Sequence, residues 1–372
     1  MKIMFNCMGL GKGGAERVIN ILANSLSKDN NIKILTNIKS NPEYEFNKNI
    51  LITSLTNSNN SIIRKIRRIS PIPILKMKKE IISFNPDVII SFLPEPSFRI
   101  LFLKKTCKKI KNIPIIVSVR NDPNTEYKNG LFFYIMKKLY PYSDELVLQT
   151  NDAKKYFEEK INYKGIVIPN PVSDLFLIDR FQGIRKKVIV AIGRLEYQKN
   201  YYNMIDAFEM VNSKHNDYIL NIYGDGYLKK NIEEYIKEKK LTNSIILKGK
   251  TNNVVEAIYD ATAFVMSSDY EGMPNSLLEA ACVGVPCIST DCPCGGPRDI
   301  LQNGIGGILV KTNDSKEMAD AICRVIENPK IATEMSTISS EKKDKYKKET
   351  IIQEWEKIIK KIVNGSAKND KS

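Results

Sequence analysis

Short apolar runs alternate with helical stretches along most of this chain. The first run, 2–7, leads into a glycine-rich loop and an amphipathic helical pattern that ends near Leu26. Further strand-like runs follow, most of them separated by a helical stretch, at 32–35, 51–53, 88–91, 115–119, 145–148 and 166–168. This alternation predicts a mostly parallel sheet covered by helices on both faces.

The pattern restarts after a proline-bearing segment, Ile168-Pro169-Asn170-Pro171-Val172, which we interpret as the link between two domains. Strands are predicted next at 187–192, 218–223, 245–247, 263–266 and 285–289. Each ends in a loop that carries glycine or charge, and in a parallel sheet such loops meet at one edge. We expect an N-terminal domain over 1–172, a second domain over 173–345, a closing helix over 346–364 and a polar tail over 365–372.

The stretch from Ser267 to Ala280 places two carboxylates across a loop-to-helix boundary. Gly272 and a following proline exclude regular structure, and Asn275 is predicted to cap the helix that follows. Glu271 then lies in a loop and Glu279 in a helix. The free N–H groups of a helix start, between two acceptor side chains, suit a phosphorylated sugar. A solvated surface loop with a helix-favouring Glu279 is the alternative.

Two other polar segments follow predicted strands. The loop after the first strand reads Gly9-x-Gly11-x-Gly13, which allows close approach of an anion but lacks the spacing of the dinucleotide fingerprint. A nicotinamide cofactor is therefore disfavoured, and a simple tight turn is the alternative. Arg120, Asn121 and Asp122 follow the strand at 115–119, at the edge where open parallel sheets bind ligands.

Positive charge is concentrated in the first half of the chain. Of 57 basic and 42 acidic residues, 29 and 16 fall in residues 1–180, a net charge of +13, which leaves 28 and 26, or +2, for the remainder. This asymmetry indicates an anionic partner: a membrane surface, a diphosphate-linked acceptor or nucleic acid. One candidate is a helix with Ile62, Ile63, Ile66 and Ile69 on one face and Arg64, Lys65, Arg67 and Arg68 opposite. It either lies on anionic lipid or packs on the core with a solvated side.

The remaining composition argues against several classes of protein. The chain enters its first strand without a signal-peptide pattern, and no apolar run approaches the ~18 residues of a membrane span. We therefore expect a soluble, cytoplasmic protein. Its seven cysteines lack zinc-site spacing, which predicts reduced thiols and no metal site. The single histidine, His215, falls at a polar helix end, unsuited to a base held by the core.

Taken together, these motifs resemble the retaining glycosyltransferases of family four, which have the GT-B fold. The resemblance covers nearly the whole chain and rests on the order and spacing of five motifs. These are Gly13-Gly14; Gly193-Arg194-Leu195 with Lys199-Asn200; Glu271 and Glu279 with seven residues between; Gly295-Gly296-Pro297-Arg298-Asp299-Ile300-Leu301; and Gly304 with Gly307. It implies an α/β fold of two Rossmann-like doubly wound parallel-sheet domains facing a cleft, with the C-terminal helix packing back on the N-terminal domain.

The resemblance also implies a role for each matching residue. Arg194 and Lys199 would grip the donor diphosphate, and Glu271 would face the donor sugar. Glu279 would take the ribose hydroxyls, while Arg120, Asn121 and Asp122 would stand on the acceptor or sugar side, where many family members place a histidine. The other donor-binding positions would be Gly13, Gly14, Gly249, Lys250, Gly272, Met273, Pro274, Asn275 and Ser276.

The implied reaction is transfer of a hexose or N-acetylhexosamine from a UDP-sugar to a glycan hydroxyl with retention. No cofactor or metal is required, because cationic side chains replace the metal. The acceptor would be linked to undecaprenyl diphosphate, with the protein peripheral on the inner face of the cell membrane, an anionic membrane as partner and no nucleic acid. Two alternatives stay open: a non-hydrolysing sugar-nucleotide epimerase of the same fold, and a basic lipid- or nucleic-acid-binding protein without turnover.

Overall fold

The computed structural model describes residues 1–11, 13–39, 42–56 and 72–369. The chain divides into two compact units, Met1–Pro171 with Lys348–Ser372, and Val172–Lys347. The boundary lies inside the predicted linker. The basic helix predicted around Arg64, Lys65, Arg67 and Arg68 lies outside the described residues. None of the described helices is long and apolar enough to span a bilayer.

The first unit is built on one parallel sheet. Its seven strands run in the order β3-β2-β1-β4-β5-β6-β7. They are β1 (Lys2–Cys7), β2 (Asn31–Thr36), β3 (Leu51–Ser54), β4 (Val88–Phe92), β5 (Ile115–Ser118), β6 (Glu145–Leu148) and β7 (Ile166–Val167). Strand β4 is buried along its whole length, as expected of a strand covered by helices on both faces.

The helices of the first unit connect successive strands, and the last helix of the chain joins them. They are α1 (Gly14–Leu26), α2 (Ile72–Phe84), α3 (Pro94–Thr106), α4 (Pro123–Glu126), α5 (Gly130–Leu139), α6 (Asn151–Ile161) and the C-terminal helix Lys348–Asn369. Trp355 of that last helix is fully buried in the first unit's core and stacks on Phe92, with ring centroids 6.2 Å apart. The prediction that the closing helix packs back on the N-terminal domain is confirmed; it continues to Asn369, beyond the end predicted at residue 364.

The second unit repeats the architecture with six parallel strands in the order β10-β9-β8-β11-β12-β13. The strands are β8 (Lys186–Ile192), β9 (Ile219–Tyr223), β10 (Ile245–Gly249), β11 (Ala261–Met266), β12 (Cys287–Thr290) and β13 (Ile308–Val310). Its helices are α7 (Tyr201–Lys214), α8 (Lys229–Glu238), α9 (Val254–Ile258), α10 (Asn275–Val283), α11 (Gly296–Ile300), α12 (Ser315–Glu327) and α13 (Pro329–Glu341), so the C-terminal helix of the first unit is α14. All loops that follow these strands lie at one edge, as predicted.

Candidate functional site

The loop after β8 carries Lys199, and the loop after β11 carries Glu271. Lys199 Nζ donates to Glu271 Oε1 at 2.5 Å, and both side chains are largely buried, with 14% and 10% of their surface exposed. Ser268 Oγ donates to the same carboxylate oxygen at 3.0 Å. Because an ion pair in a low-dielectric environment is strong only when its remaining bonding capacity is met, the hydroxyl helps to fix the geometry.

Backbone hydrogen bonds hold these two loops together. Asp269 N donates to Gln198 O at 2.9 Å, and the Gln198 amide returns a 2.9 Å bond to Tyr270 O. Ser267 Oγ donates to Lys199 O at 2.8 Å. Asn200 reaches Asp269 Oδ1 at 2.7 Å. The Lys199–Glu271 pair therefore belongs to a preorganised junction of two loops.

The loop after β12 closes the junction from a third side. Thr290 Oγ1 donates to Ser268 O at 2.6 Å. A Cβ at Gly296 would lie 1.8 Å from Gly272 O, so only glycine permits this close approach of two backbones. Cys292 lies within electrostatic reach of the pair: burial raises its pKa first, and the charge on Glu271 raises it further.

Helix α10 begins directly after the Glu271 loop. The prediction that Asn275 caps this helix is wrong: Pro274, in an extended conformation, is the N-cap, and it makes no side-chain cap hydrogen bond. Glu279 is only 4% exposed, on a helix buried on nearly every side. Its charge adds to burial in raising the pKa of Cys282 to about 12. The two glutamates thus flank the start of this helix, with Gly272, Met273 and Ser276 along the same segment.

Arg194 lies apart from the buried pair. Its side chain is 61% exposed, and its guanidinium pairs with Glu196 at 3.0 Å. It is close enough to lower the pKa of Tyr270, although burial and Glu271 raise that pKa by more. Arg194 therefore lies at the rim of the loop junction, where its exposed side chain can reach a bound ligand.

The loops after β9 and β10 extend the same edge. Leu195 N donates to Asp225 O at 3.0 Å, and Gly224 N donates to Gly249 O at 2.8 Å. Lys250, which is exposed, lies 4.0 Å from Asp225. Five consecutive loops thus form one continuous rim on the second unit.

His215 lies at the opposite edge of this sheet, where α7 ends before β9. Its Nε2 lies 2.9 Å from Glu327 Oε1, and Cys323 completes a group of possible metal ligands within 4.8 Å of one another. The histidine is therefore remote from the loop junction, as its sequence position suggested.

In the first unit, Gly13 is the N-cap of α1 and Gly14 its first residue. A Cβ at Gly13 would meet Glu16 Oε2 at 2.0 Å, so the carboxylate of Glu16 folds against the helix start. An acidic group at the N-terminus of a helix interacts favourably with the positive end of the helix dipole. An anionic ligand at Gly13 and Gly14 would have to displace it.

Arg120 is a buried cation with no acidic partner among the residues that the structure describes. Its Nη1 donates to Asn170 Oδ1 at 3.0 Å, which also accepts from Gln149 at 2.6 Å. The guanidinium lies 5.2 Å from the Phe92 ring and 5.6 Å from the Trp355 ring, while Nε and Nη2 have no hydrogen-bond partner in the described part of the chain. Burial lowers its pKa to about 9, which still leaves it charged at neutral pH.

The neighbouring polar residues have structural roles as well. Asp122 caps α4 by accepting from Asn124 N and Thr125 N, and also from Thr125 Oγ1 at 2.7 Å. Asn121 between them is partly exposed. Sequence reasoning missed Glu126, whose pKa is raised to about 8 by burial and then by Asp122. No described residue forms a hydrogen bond with its Oε2. No sequence signal marked it, because its burial depends on tertiary packing.

These two units match the two halves of a known enzyme class. Residues 12–174 match the family described as Glycosyltransferase Family 4, and residues 178–342 match Glycosyl transferases group 1. An uncharacterised glycosyltransferase of Methanocaldococcus jannaschii is 30% identical over 337 residues, covering 76% of this chain and 82% of the relative. The chain belongs to the family-four type of glycosyltransferase, with the GT-B fold.

Two further relatives span nearly the entire chain. A Campylobacter jejuni N-acetyl-D-galactosaminyltransferase, whose named acceptor is a saccharide on undecaprenyl diphosphate, is 26% identical over 98% of this chain and all of the relative. Staphylococcus aureus TarM, solved as a mutant with fondaparinux, alpha-GlcNAc-glycerol and UDP, superimposes with a TM-score of 0.76 at 15% identity, covering 96% of this chain and 99% of TarM. The chain is thus a glycosyltransferase of the kind that acts in bacterial glycan and polysaccharide synthesis.

Proposed function

We propose that this enzyme transfers a hexose or N-acetylhexosamine from a UDP-sugar, with retention, to a hydroxyl of a lipid-linked glycan acceptor. The observation that carries the proposal is the buried Lys199–Glu271 pair, held by three loops at the carboxyl edge of the second sheet. That edge is where open parallel sheets bind nucleotides. The UDP bound by TarM and the undecaprenyl-diphosphate acceptor named for the Campylobacter jejuni relative support the choice of substrates.

In this proposal the second unit holds the donor. Lys199 and Arg194 neutralise the diphosphate, and the N–H groups at the start of α10, from Gly272 to Ser276, bind sugar and phosphate oxygens. Glu271 faces the sugar and holds Lys199 in place, while Glu279 accepts from the ribose hydroxyls. Gly249 and Lys250 contact the base. Gly13 and Gly14 of the first unit contribute backbone N–H groups once Glu16 has moved aside.

The reaction needs no side-chain nucleophile. The bond between the sugar C1 and the diphosphate oxygen breaks, and the acceptor oxygen bonds to C1 on the same face. The acceptor proton passes to an oxygen of the departing diphosphate, so that UDP and the extended glycan are the products. We propose that the two cationic side chains supply the charge stabilisation that a metal would otherwise give, so activity should persist in EDTA.

On the acceptor side, we assign Arg120 and Asn121 to binding, with Asp122 shaping their loop. Arg120 is charged and buried, and two of its donor nitrogens have no hydrogen-bond partner within residues 1–11, 13–39, 42–56 and 72–369. A buried cation of this kind is costly unless an acceptor group pairs with it. With its lipid-linked acceptor, the enzyme would work as a peripheral protein on the inner face of the cell membrane.

Release of UDP from a panel of UDP-sugars tests the proposal. Slow hydrolysis of one donor, lost in Lys199→Ala and kept in Lys187→Ala, is the expected result. Interconversion of UDP-sugars without UDP release would show an epimerase instead. Absence of any turnover and of UDP binding would leave a non-catalytic binding protein. A crystal soaked with UDP would give a direct second answer, because UDP should lie against Lys199 and α10.

A further inference from the structure

Helix α5 of the first unit presents an apolar face to solvent. Seven of its ten residues are apolar or aromatic, yet in this fully described helix only Met136 is buried. Leu131 and Tyr134, one turn apart, are 63% and 59% exposed. Helices with this composition in soluble proteins normally turn their apolar side to a core, so the exposed face indicates a surface that another apolar phase covers.

The neighbouring helix extends this surface. Helix α3 packs against α5 through Phe98 and Phe132, with ring centroids 5.7 Å apart. Phe102, one turn beyond Phe98, is 45% exposed. Tyr142, just after α5, is also exposed. We call Phe102, Leu131, Tyr134 and Tyr142 the apolar patch.

Lysines border the apolar patch. Lys138 Nζ lies 5.7 Å from the Tyr134 ring centroid, and Lys105 Nζ lies 5.1 Å from that of Tyr142. Helix α5 ends in Lys137-Lys138 and contains no acidic residue. Across residues 94–142 the sequence has ten basic and three acidic residues, a net charge of +7. Aromatic rings with lysine ammonium groups above them are the pattern of side chains that bind at the headgroup level of a bilayer.

We infer that the apolar patch is a docking surface for an anionic lipid bilayer, with α5 lying in the headgroup region. The apolar side chains would enter the acyl boundary while the lysines meet lipid phosphates. The inference rests on the proposed function in one respect only: an enzyme with a lipid-linked acceptor has to work at a membrane surface. It adds a specific, fully described site, distinct from the basic segment around Arg64.

Cosedimentation with vesicles of phosphatidylglycerol and phosphatidylcholine, without acceptor, tests this surface. Leu131→Asp with Tyr134→Asp should reduce binding about tenfold or more, because two apolar anchors are replaced by charges that anionic lipid repels. Leu175→Asp with Ile184→Asp changes two side chains that are 70% and 98% exposed on the second unit, and binding should stay unchanged. Circular dichroism confirms that both variants fold.

Charge-reversal variants test whether the apolar patch binds lipid or another partner. Lys137→Glu with Lys138→Glu should abolish the preference for anionic over pure phosphatidylcholine vesicles, while Lys229→Glu with Lys230→Glu in α8 should not. Binding that survives both α5 changes would overturn the inference and transfer the role to the segment around Arg64. If light scattering without lipid shows a dimer that the α5 variants dissociate, the patch is a self-association face and the lipid assignment is wrong.

Hydrolysis of the soluble donor, measured on the same samples, separates the two proposals. Intact hydrolysis with no vesicle binding in the wild type rejects the docking surface and leaves the proposed function standing. Vesicle binding that depends on α5, with no turnover of any donor, does the reverse.

Discussion

Lys199 Nζ donates to Glu271 Oε1 at 2.5 Å although 72 positions separate the two residues along the chain. The loops after β8 and β11 bring them together because these strands are neighbours in the second sheet. In the free enzyme the carboxylate holds the ammonium group in place. Under the proposed function an arriving diphosphate would meet a preorganised cation, which is the condition under which electrostatic stabilisation contributes most to rate.

Lys199→Ala should lower kcat for transfer by about 10²-fold or more, the usual size of losing one preorganised charge stabiliser. Lys199→Arg should restore part of the rate, because the charge returns with different geometry. Steady-state kinetics of UDP release give the measurement. Lys187→Ala, an exposed lysine at the start of β8, is the control. A wild-type kcat in the Lys199→Ala enzyme would contradict the proposed active site.

Gly296→Ala should destabilise the loop junction, because the new Cβ would lie 1.8 Å from Gly272 O. Relieving this clash requires a shift of the backbone, which costs free energy. Overpacking of this kind costs about 1–3 kcal/mol of unfolding free energy. Donor KM should rise as the Glu271 loop is displaced. Gly130→Ala is the matched control, since no atom lies within 4 Å of its added Cβ. Chemical denaturation compares the two, and equal stability would contradict the close packing of the two loops.

The sequence predicted the strands well, because each is an apolar run between loop residues. It missed β13, whose three residues, Ile308–Val310, follow two glycines and are too few to show a pattern. It placed Glu271 and Lys199 at the same sheet edge but could not pair them, since side-chain contact depends on which strands are neighbours. It also assigned the cap of α10 to Asn275, and this was wrong. The fixed φ of Pro274 extends the chain just before the helix, and this outweighs the capping preference of asparagine.

Glu126 should make stability depend on pH. Its pKa is raised from 4.5 to about 8 in the folded protein. At pH values between these two, the folded state keeps a proton that the unfolded state has lost. Stability should therefore fall as pH rises from about 4.5 to about 8. In Glu126→Gln this part of the slope should disappear. Urea unfolding at pH 5 and pH 8 measures it, with Glu159→Gln on the surface of α6 as control. An unchanged slope in Glu126→Gln would show that other groups carry the effect.

Arg120→Met should separate a structural role from a functional one. Methionine keeps apolar contact with Phe92 and Trp355 and removes an uncompensated buried charge, so the melting temperature should stay or rise. Transfer to the acceptor should fall about tenfold or more if the guanidinium pairs with it, while donor hydrolysis should not change. The two assays on one sample give the answer. A lower melting temperature with normal transfer would make Arg120 a purely structural residue.

The first unit is built from two separate segments of the chain: Ile351, Trp355 and Ile359 of α14 complete a core whose other buried side chains come from the first 171 residues. On the ribosome, that core stays incomplete until the segment that forms α14 has been synthesised. The second unit, continuous from Val172 to Lys347, has its entire sequence available earlier. The half synthesised first is therefore the half that matures last, and a nascent chain stopped before residue 348 would expose the apolar surface that α14 normally covers.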